Sequence, residues 1–329
     1  VSEQLTQEQL EKSIISIQES QIGLLEEDNR RLREKLLRPP TDPPEDPNWT
    51  TNLKDLLSKD PPPFKWLIND LWPDQACGFL AGAPKGGKSF VAFDMALSIM
   101  TGTKCLGHFQ VKDPGPVIYI AEEGSVNEIT RRLMQMAVGK KLEASKIQDF
   151  HIAIHKQVMI DDTKWQKRID DLCAKVQPKA IFFDTFIRVH GADENKSSDI
   201  RNVLKIFRKI QIDWECAVIL LHHKSKPKDE AKEVKGGHLM RGSSDMYAWF
   251  DSAVYLRSVD GKGFPTTVSV EHRDSSGMDE FTLELEEGED YLLLKHREGG
   301  AESARVRGWV DKVVAKVNES GVKPSVHIG

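Results

Sequence analysis

Eight residues constrain this chain more than any others. Residues 82–89 read Gly-Ala-Pro-Lys-Gly-Gly-Lys-Ser, matching the pattern G-x-x-x-x-G-K-[ST]. Glycines at this spacing let successive backbone N–H groups converge at the start of a helix. There the unpaired amides and the helix dipole favour a phosphate. The pattern requires a buried strand before it and a helix after it. Both are legible: Cys77–Ala81 is continuously apolar, and residues 88–101 read as a helix. Gly82, Ala83, Pro84, Lys85, Gly86, Gly87, Lys88, Ser89 and the adjoining Phe90 are therefore expected to hold a nucleotide. Lys88 would neutralise the β- and γ-phosphates, and the Ser89 hydroxyl would ligate Mg²⁺.

From residue 64 onward, short apolar runs alternate with amphipathic stretches. The runs are Cys77–Ala81, Val117–Ala121, Lys179–Asp184, Ala217–Leu221 and Ala253–Leu256. Helical patterns cover 88–101, 126–138, 163–176, 198–211 and 243–250. Continuous apolar strands alternating with helices predict an α/β fold with a mostly parallel sheet covered on both faces. After residue 264 the pattern alternates instead. Thr266–Glu271, Phe281–Leu285 and Tyr291–Lys295 then read as antiparallel edge strands.

A phosphate loop needs a second carboxylate, at the end of an apolar strand, to hold Mg²⁺ through water. Asp184 closes the run Ala-Ile-Phe-Phe and is the expected partner of Ser89. Hydrolysis needs a group that orients water. Glu122 and Glu123 end the strand Val-Ile-Tyr-Ile-Ala, where open parallel sheets place their ligands. Of the two, Glu122 is the expected catalytic residue, the alternative being a helix-start acid. His222 and His223 end another strand, and one imidazole could sense the γ-phosphate, or the pair could simply pack. The following stretch, 224–241, holds six Lys/Arg against three acids and no apolar periodicity. Its Lys224, Lys226, Lys228, Lys232 and Lys235 are candidate contacts to a nucleic-acid backbone, the alternative being a solvated tether.

The opening segment differs. Ile15, Ile22, Asn29 and Leu36 recur every seven residues, with Leu25 and Leu32 at the offset positions. That predicts a short coiled-coil seam of about three heptads, weakened by Gln18 and Gly23. The alternative is a solvated helix packing on its own domain. Residues 1–38 are thus expected to be helical and 39–63 a proline-rich linker. An ATPase-type domain is expected over 64–298, and a helical tail over 299–329. The whole chain of 329 residues has a formal net charge of −5. Residues 1–60 alone hold 8 basic and 13 acidic side chains, so the remainder is neutral. That balance excludes a protein that coats nucleic acid with charge, but not one with a local basic lining. No run of about 18 apolar residues is present, and no basic-then-apolar leader opens the chain. Four scattered cysteines without a C-x-x-C pair indicate neither a zinc site nor a disulfide framework and suit the cytoplasm.

Taken together, Gly82–Ser89, Ala121-Glu122-Glu123, Phe183-Asp184-Thr185, Leu221-His222-His223-Lys224 and Arg241-Gly242-Ser243-Ser244 resemble one group. They are similar, in this order, to RecA-like ATPases of the plasmid RepA hexameric replicative helicase type. That group is related to DnaB-type helicases and RadA/KaiC-like ATPases. The resemblance covers about residues 60–298. It implies a RecA-like core that hydrolyses ATP with Mg²⁺ at the subunit interfaces of a homo-oligomeric ring, a hexamer in this family. Single-stranded DNA would lie in the channel, and a replication partner could use the N-terminal helix. By the same resemblance Glu122 is the catalytic glutamate and His223, beside His222, the γ-phosphate sensor. Arg132 is a basic residue near the nucleotide, and Arg241 an arginine reaching the neighbouring subunit. Arg273 is a second candidate for that reach, although Glu271 stands where the DnaB-type element has lysine. Two rival readings stay open: a recombination mediator or nucleotide switch that never unwinds DNA, and a coiled-coil scaffold whose nucleotide site only gates assembly.

Overall fold

The structure is a computed structural model. It describes residues 50–300 except 59, 62, 144, 146, 194, 195, 224–243, 259–262 and 276, together with Val310 and Lys316. The expected helix over 1–38, most of the linker, and the 224–241 stretch with Arg241 lie outside the described residues. So does nearly all of the tail. The chain divides into two units, with a break between Pro63 and Phe64 and with Asp170–Lys175 grouped with the first. Of the first unit the structure describes a short helix, α1 (Leu53–Leu57), whose Asn52 side chain caps the Lys54 amide at 2.9 Å.

The second unit begins with a small antiparallel hairpin, β1 (Trp66–Ile68) and β2 (Trp72–Pro73). Next come β3 (Cys77–Gly82) and α2 (Lys88–Thr101), then β4 (Val117–Ala121) and α3 (Val126–Gly139). β5 (Phe150–Ile154), α4 (Thr163–Val176), β6 (Ala180–Asp184) and α5 (Ser197–Trp214) follow. The last elements are β7 (Ala217–His223), α6 (Ser244–Trp249), β8 (Ser252–Ser258), β9 (Thr266–His272), β10 (Phe281–Glu287) and β11 (Leu292–Glu298). Nine strands form one sheet in the order β11-β10-β9-β8-β3-β7-β6-β4-β5. The six from β8 to β5 are mutually parallel, and β9 to β11 continue antiparallel from β8.

This is the mostly parallel sheet with antiparallel edge strands that the apolar runs predict. Every residue of β3, β4 and β6 is buried, as strands covered on both faces must be. Alternate side chains face opposite ways. Leu80, Tyr119, Phe182 and Ile219 join Phe93 and Met95 of α2 and Ile129 of α3 in one core. On the other face Phe79 packs on Phe186, Trp249 and Phe250, and Phe183 on Phe207 of α5. α2 is buried nearly all round, so the helix that follows the phosphate loop is itself part of the core.

Two features tie α2 and α3 to their surroundings. Asp94 of α2 pairs with Lys140, just past α3, at 2.9 Å, and both side chains are buried. The same carboxylate accepts from the Leu106 amide at 2.6 Å, and Lys140 also donates to the Lys104 carbonyl at 3.0 Å. Gly139 meanwhile lies so close to β11 that a Cβ there would sit 2.1 Å from the Leu292 carbonyl oxygen.

The sequence reading left out β5. His151 interrupts its apolar residues, and all five positions are only half-buried, so it lacks the continuous apolar run of the inner strands. None of the described helices is long and apolar enough to cross a membrane. All four cysteines are buried and unbridged.

Candidate active site

The parallel strands end on one edge of the sheet, and their last residues converge there. Gly82 pairs in register with His223, and Asp184 with Ala121. The loop after Gly82 folds through two left-handed residues, Lys85 at φ 59° and Gly87 at φ 87°. Gly87 is the N-cap of α2 and brings no capping side chain, so the first amides of the helix are left for a ligand. A Cβ at Gly87 would meet the Phe264 ring at 2.8 Å. Glycine is required there both by the backbone angle and by that approach.

Lys88 is buried, and its ammonium donates to the carbonyls of Gly82 at 3.1 Å and Ala83 at 2.9 Å. Its third contact is His223 Nδ1 at 3.0 Å. Burial lowers the Lys88 pKa to about 8, because the charged form loses solvation. His223 Nε2 faces Glu123 Oε1 at 3.5 Å, so one imidazole bridges Lys88 and Glu123. Glu123 also accepts from the Thr185 hydroxyl at 3.2 Å and faces Arg188 Nε at 3.7 Å. The hydrogen bond from His223, more than any other influence, holds the Glu123 carboxyl below its ordinary pKa. Asp184 is only 3% exposed. Burial raises its pKa, while hydrogen bonds from Tyr119 and Ser89 work the other way. The Tyr119 hydroxyl donates to Asp184 Oδ2 at 2.8 Å, and burial pushes that phenol well above its ordinary pKa.

These groups line one cleft of about 620 Å³. It contains Lys85–Phe90, Glu123, Arg132, Asp184, Thr185, His223 and Phe264. Most of the expected nucleotide residues are thus brought together. Arg132 lines the cleft, ion-paired to Glu128 and lying 4.7 Å over the Phe90 ring. Phe264 meets Phe90 edge to face at 5.9 Å.

Two residues expected at the nucleotide are placed elsewhere, and Arg273, expected to reach a neighbouring subunit, lies away from this cleft. Glu122 is not in the cleft. Its carboxylate accepts from the backbone amides of Lys156 and Gln157, each at 3.2 Å, and of Val158 at 3.0 Å, capping the chain where it leaves β5. His222 faces the other side of its strand, buried edge-on against Phe79 and Phe186, since neighbours in a strand point oppositely. Arg273 follows the end of β9, at the opposite edge of the sheet. It donates to the Ala248 carbonyl and pairs with Asp251 at 3.4 Å. Arg241 and Lys224, Lys226, Lys228, Lys232 and Lys235 lie outside the described residues. Sequence reasoning missed Tyr119 and Phe264, and named Thr185 only within the Phe-Asp-Thr motif without giving it a role. The one signal for Tyr119 was a phenol inside an otherwise apolar strand.

The residues fit a small hard cation. Ser89 and Asp184 present oxygen donors together at the floor of the cleft, and a buried carboxylate with a raised pKa gains most from an adjacent positive charge. Among the described residues no cluster of three or more His, Cys, Asp or Glu side chains offers a complete protein cage. Mg²⁺ in nucleotide sites does not need one, because it keeps its own waters and binds substrate phosphates.

A family model described as an AAA domain matches residues 41–229. Among solved structures, a KaiC-like protein from the hyperthermophilic archaeon Pyrococcus horikoshii aligns with 69% of this chain and 93% of its own. The two share 16% identity, at a TM-score of 0.43.

Proposed function

The chain belongs to the AAA-domain family, and from that premise we propose that it is a Mg²⁺-dependent ATPase. In this reading it couples ATP hydrolysis to DNA unwinding or translocation, as the replicative motor of a plasmid, phage or other mobile element. The observation that carries the hydrolytic part is the Lys88–His223–Glu123 bridge inside one cleft. It unites a phosphate-binding cation, a sensor-type imidazole and an ionised carboxylate.

The first amides of α2 bind the β-phosphate. Lys88 exchanges its carbonyl partners for phosphate oxygens and regains full charge as it does so. Glu123, rather than Glu122, orients the attacking water and accepts its proton, because Glu122 is committed to three amides. Thr185 and His223 keep the Glu123 carboxylate aimed and charged. Mg²⁺ held by Ser89 and Asp184 would screen the charge on the phosphates as it shifts. His223 touches Lys88 on one side and adjoins Lys224 on the other, so loss of the γ-phosphate reaches the 224–241 stretch through a single residue. That stretch would contact single-stranded DNA through Lys224, Lys226, Lys228, Lys232 and Lys235. Arg241 would complete the site of a neighbouring subunit in a ring.

The motor part rests on the resemblance of the motif series to that of RepA-type helicases. A forked-duplex displacement assay tests it. ATP-dependent strand displacement that Lys88→Ala abolishes is the expected result. Strong DNA-stimulated ATPase activity with no displacement, from an assembled oligomer, would replace the motor with a mediator or switch.

A further inference from the structure

Val117-Ile-Tyr-Ile-Ala121 places one phenol in the middle of the sheet, where a buried hydroxyl must find a partner. Tyr119 is fully buried. Its ring stacks on Phe182 at 5.5 Å and 15°, and on Phe150 at 6.2 Å and 17°, and leans on Phe93 of α2 at 4.9 Å. The strand register sets Tyr119 beside Phe182, two residues short of Asp184 on the same face of the sheet. Two residues of strand rise about 6.6 Å, roughly the reach of a tyrosine from Cα to hydroxyl. The hydroxyl accordingly arrives at Asp184 Oδ2, 2.8 Å away. Three rings fix where it arrives, and the carboxylate it meets is itself buried.

We infer that Tyr119 is a positioning residue of the Mg²⁺ site: it occupies one oxygen of Asp184 with a fixed donor and so sets the orientation in which that carboxylate receives the metal's waters. The inference rests on the reading that Ser89 and Asp184 hold Mg²⁺. Ser89 lines the cleft beside the same carboxylate, and its hydroxyl can offer a lone pair to the metal while its proton still points at Asp184. Tyr119 has no other duty and stays. Without its hydroxyl the Asp184 carboxylate can rotate, and the pre-formed half of the site is lost while the phosphate loop is untouched.

Tyr119→Phe removes the hydroxyl and keeps the ring stack. The test is binding of a fluorescent ATP analogue to the full chain while MgCl₂ is titrated. The Mg²⁺ midpoint of Tyr119→Phe is expected about tenfold higher than wild type, the size of a hydrogen bond to a charged group. Binding in EDTA is expected to be unchanged. In an Asp184→Asn background Tyr119→Phe should add no further shift. Coincident midpoints for Tyr119→Phe and wild type, with Asp184→Asn shifted, would overturn this inference alone. An unshifted Asp184→Asn would overturn the Mg²⁺ reading and the inference with it. Should Tyr119→Phe fail to fold, NMR of tyrosine-labelled wild type keeps the matter decidable. A slowly exchanging tyrosine hydroxyl proton that persists with Mg²⁺ and ADP is expected, and its loss on adding them would overturn the proposal.

Discussion

Glu122 and Glu123 are consecutive, yet one caps the exit of β5 and the other faces the phosphate loop. Nothing local in the sequence separates them. Both end the same strand, and the choice is made by the amides of residues 156–158, which belong to a part of the fold the apolar pattern does not reveal. The phosphate loop and Asp184 were legible because their chemistry is written in adjacent residues: glycines before Lys88, and an apolar run before the acid. Phe264 was not legible, because its place beside Gly87 is set by strands far along the chain. That approach makes a prediction. Gly87→Ala should destabilise the protein by about 1–2 kcal/mol through the left-handed backbone alone, with the Phe264 clash added. In a Phe264→Ala background, which carries its own packing loss, Gly87→Ala should cost only the backbone strain, so urea denaturation should show a smaller cost for Gly87→Ala there than in wild type. Equal costs of Gly87→Ala in the two backgrounds would show that the ring yields freely.

At the scale of elements, α2 is tied to its surroundings at its start and its middle. Its start is the proposed phosphate cradle, and its middle carries Asp94 in a buried pair with Lys140. Lys140→Met should cost about 3–5 kcal/mol, because it leaves a buried carboxylate without its cation. Lys140→Met combined with Asp94→Asn should cost less than Lys140→Met alone, as denaturant midpoints would show. A second tie is sensitive to pH. His108 stacks on His296 of β11 at 4.1 Å and 13°, and burial, then His108, lowers the His296 pKa below its ordinary 6.5. The neutral ring is therefore the one the fold prefers. Its contribution is complete above pH 6.5 and shrinks as the pH falls below that value, where the unfolded chain takes up the proton first. Melting temperatures should drop between pH 7.5 and 5.5, and His296→Phe should flatten the drop. An unchanged slope would assign it to His190 and His272, whose pKa values burial lowers in the same direction. The inner strands were legible because a strand buried on both faces reads as an unbroken apolar run. β5 was not, since an edge strand with half-buried positions carries a weaker signal.

For the whole molecule, the net charge of −5 resides in the first sixty residues, and the neutral remainder holds the cleft. A motor needs positive charge only where the strand passes, which is the role proposed for residues 224–241. Arg132 lines the cleft and Arg273 is engaged at the far edge of the sheet, while Arg241 is the arginine proposed to reach a neighbouring subunit. If so, mixing Arg241→Ala subunits with Glu123→Gln subunits should restore some hydrolysis at mixed interfaces, and no restoration at any ratio would count against a shared site. The central claim is that this cleft hydrolyses ATP with Glu123 as the group that handles water. Phosphate release by wild type, Glu122→Gln and Glu123→Gln, each with nucleotide binding measured alongside, tests it most directly. Glu123→Gln should bind nucleotide as wild type does and lose about 10²–10⁴-fold in turnover, while Glu122→Gln retains most of its rate. Full turnover by Glu123→Gln, with Glu122→Gln inactive, would contradict it.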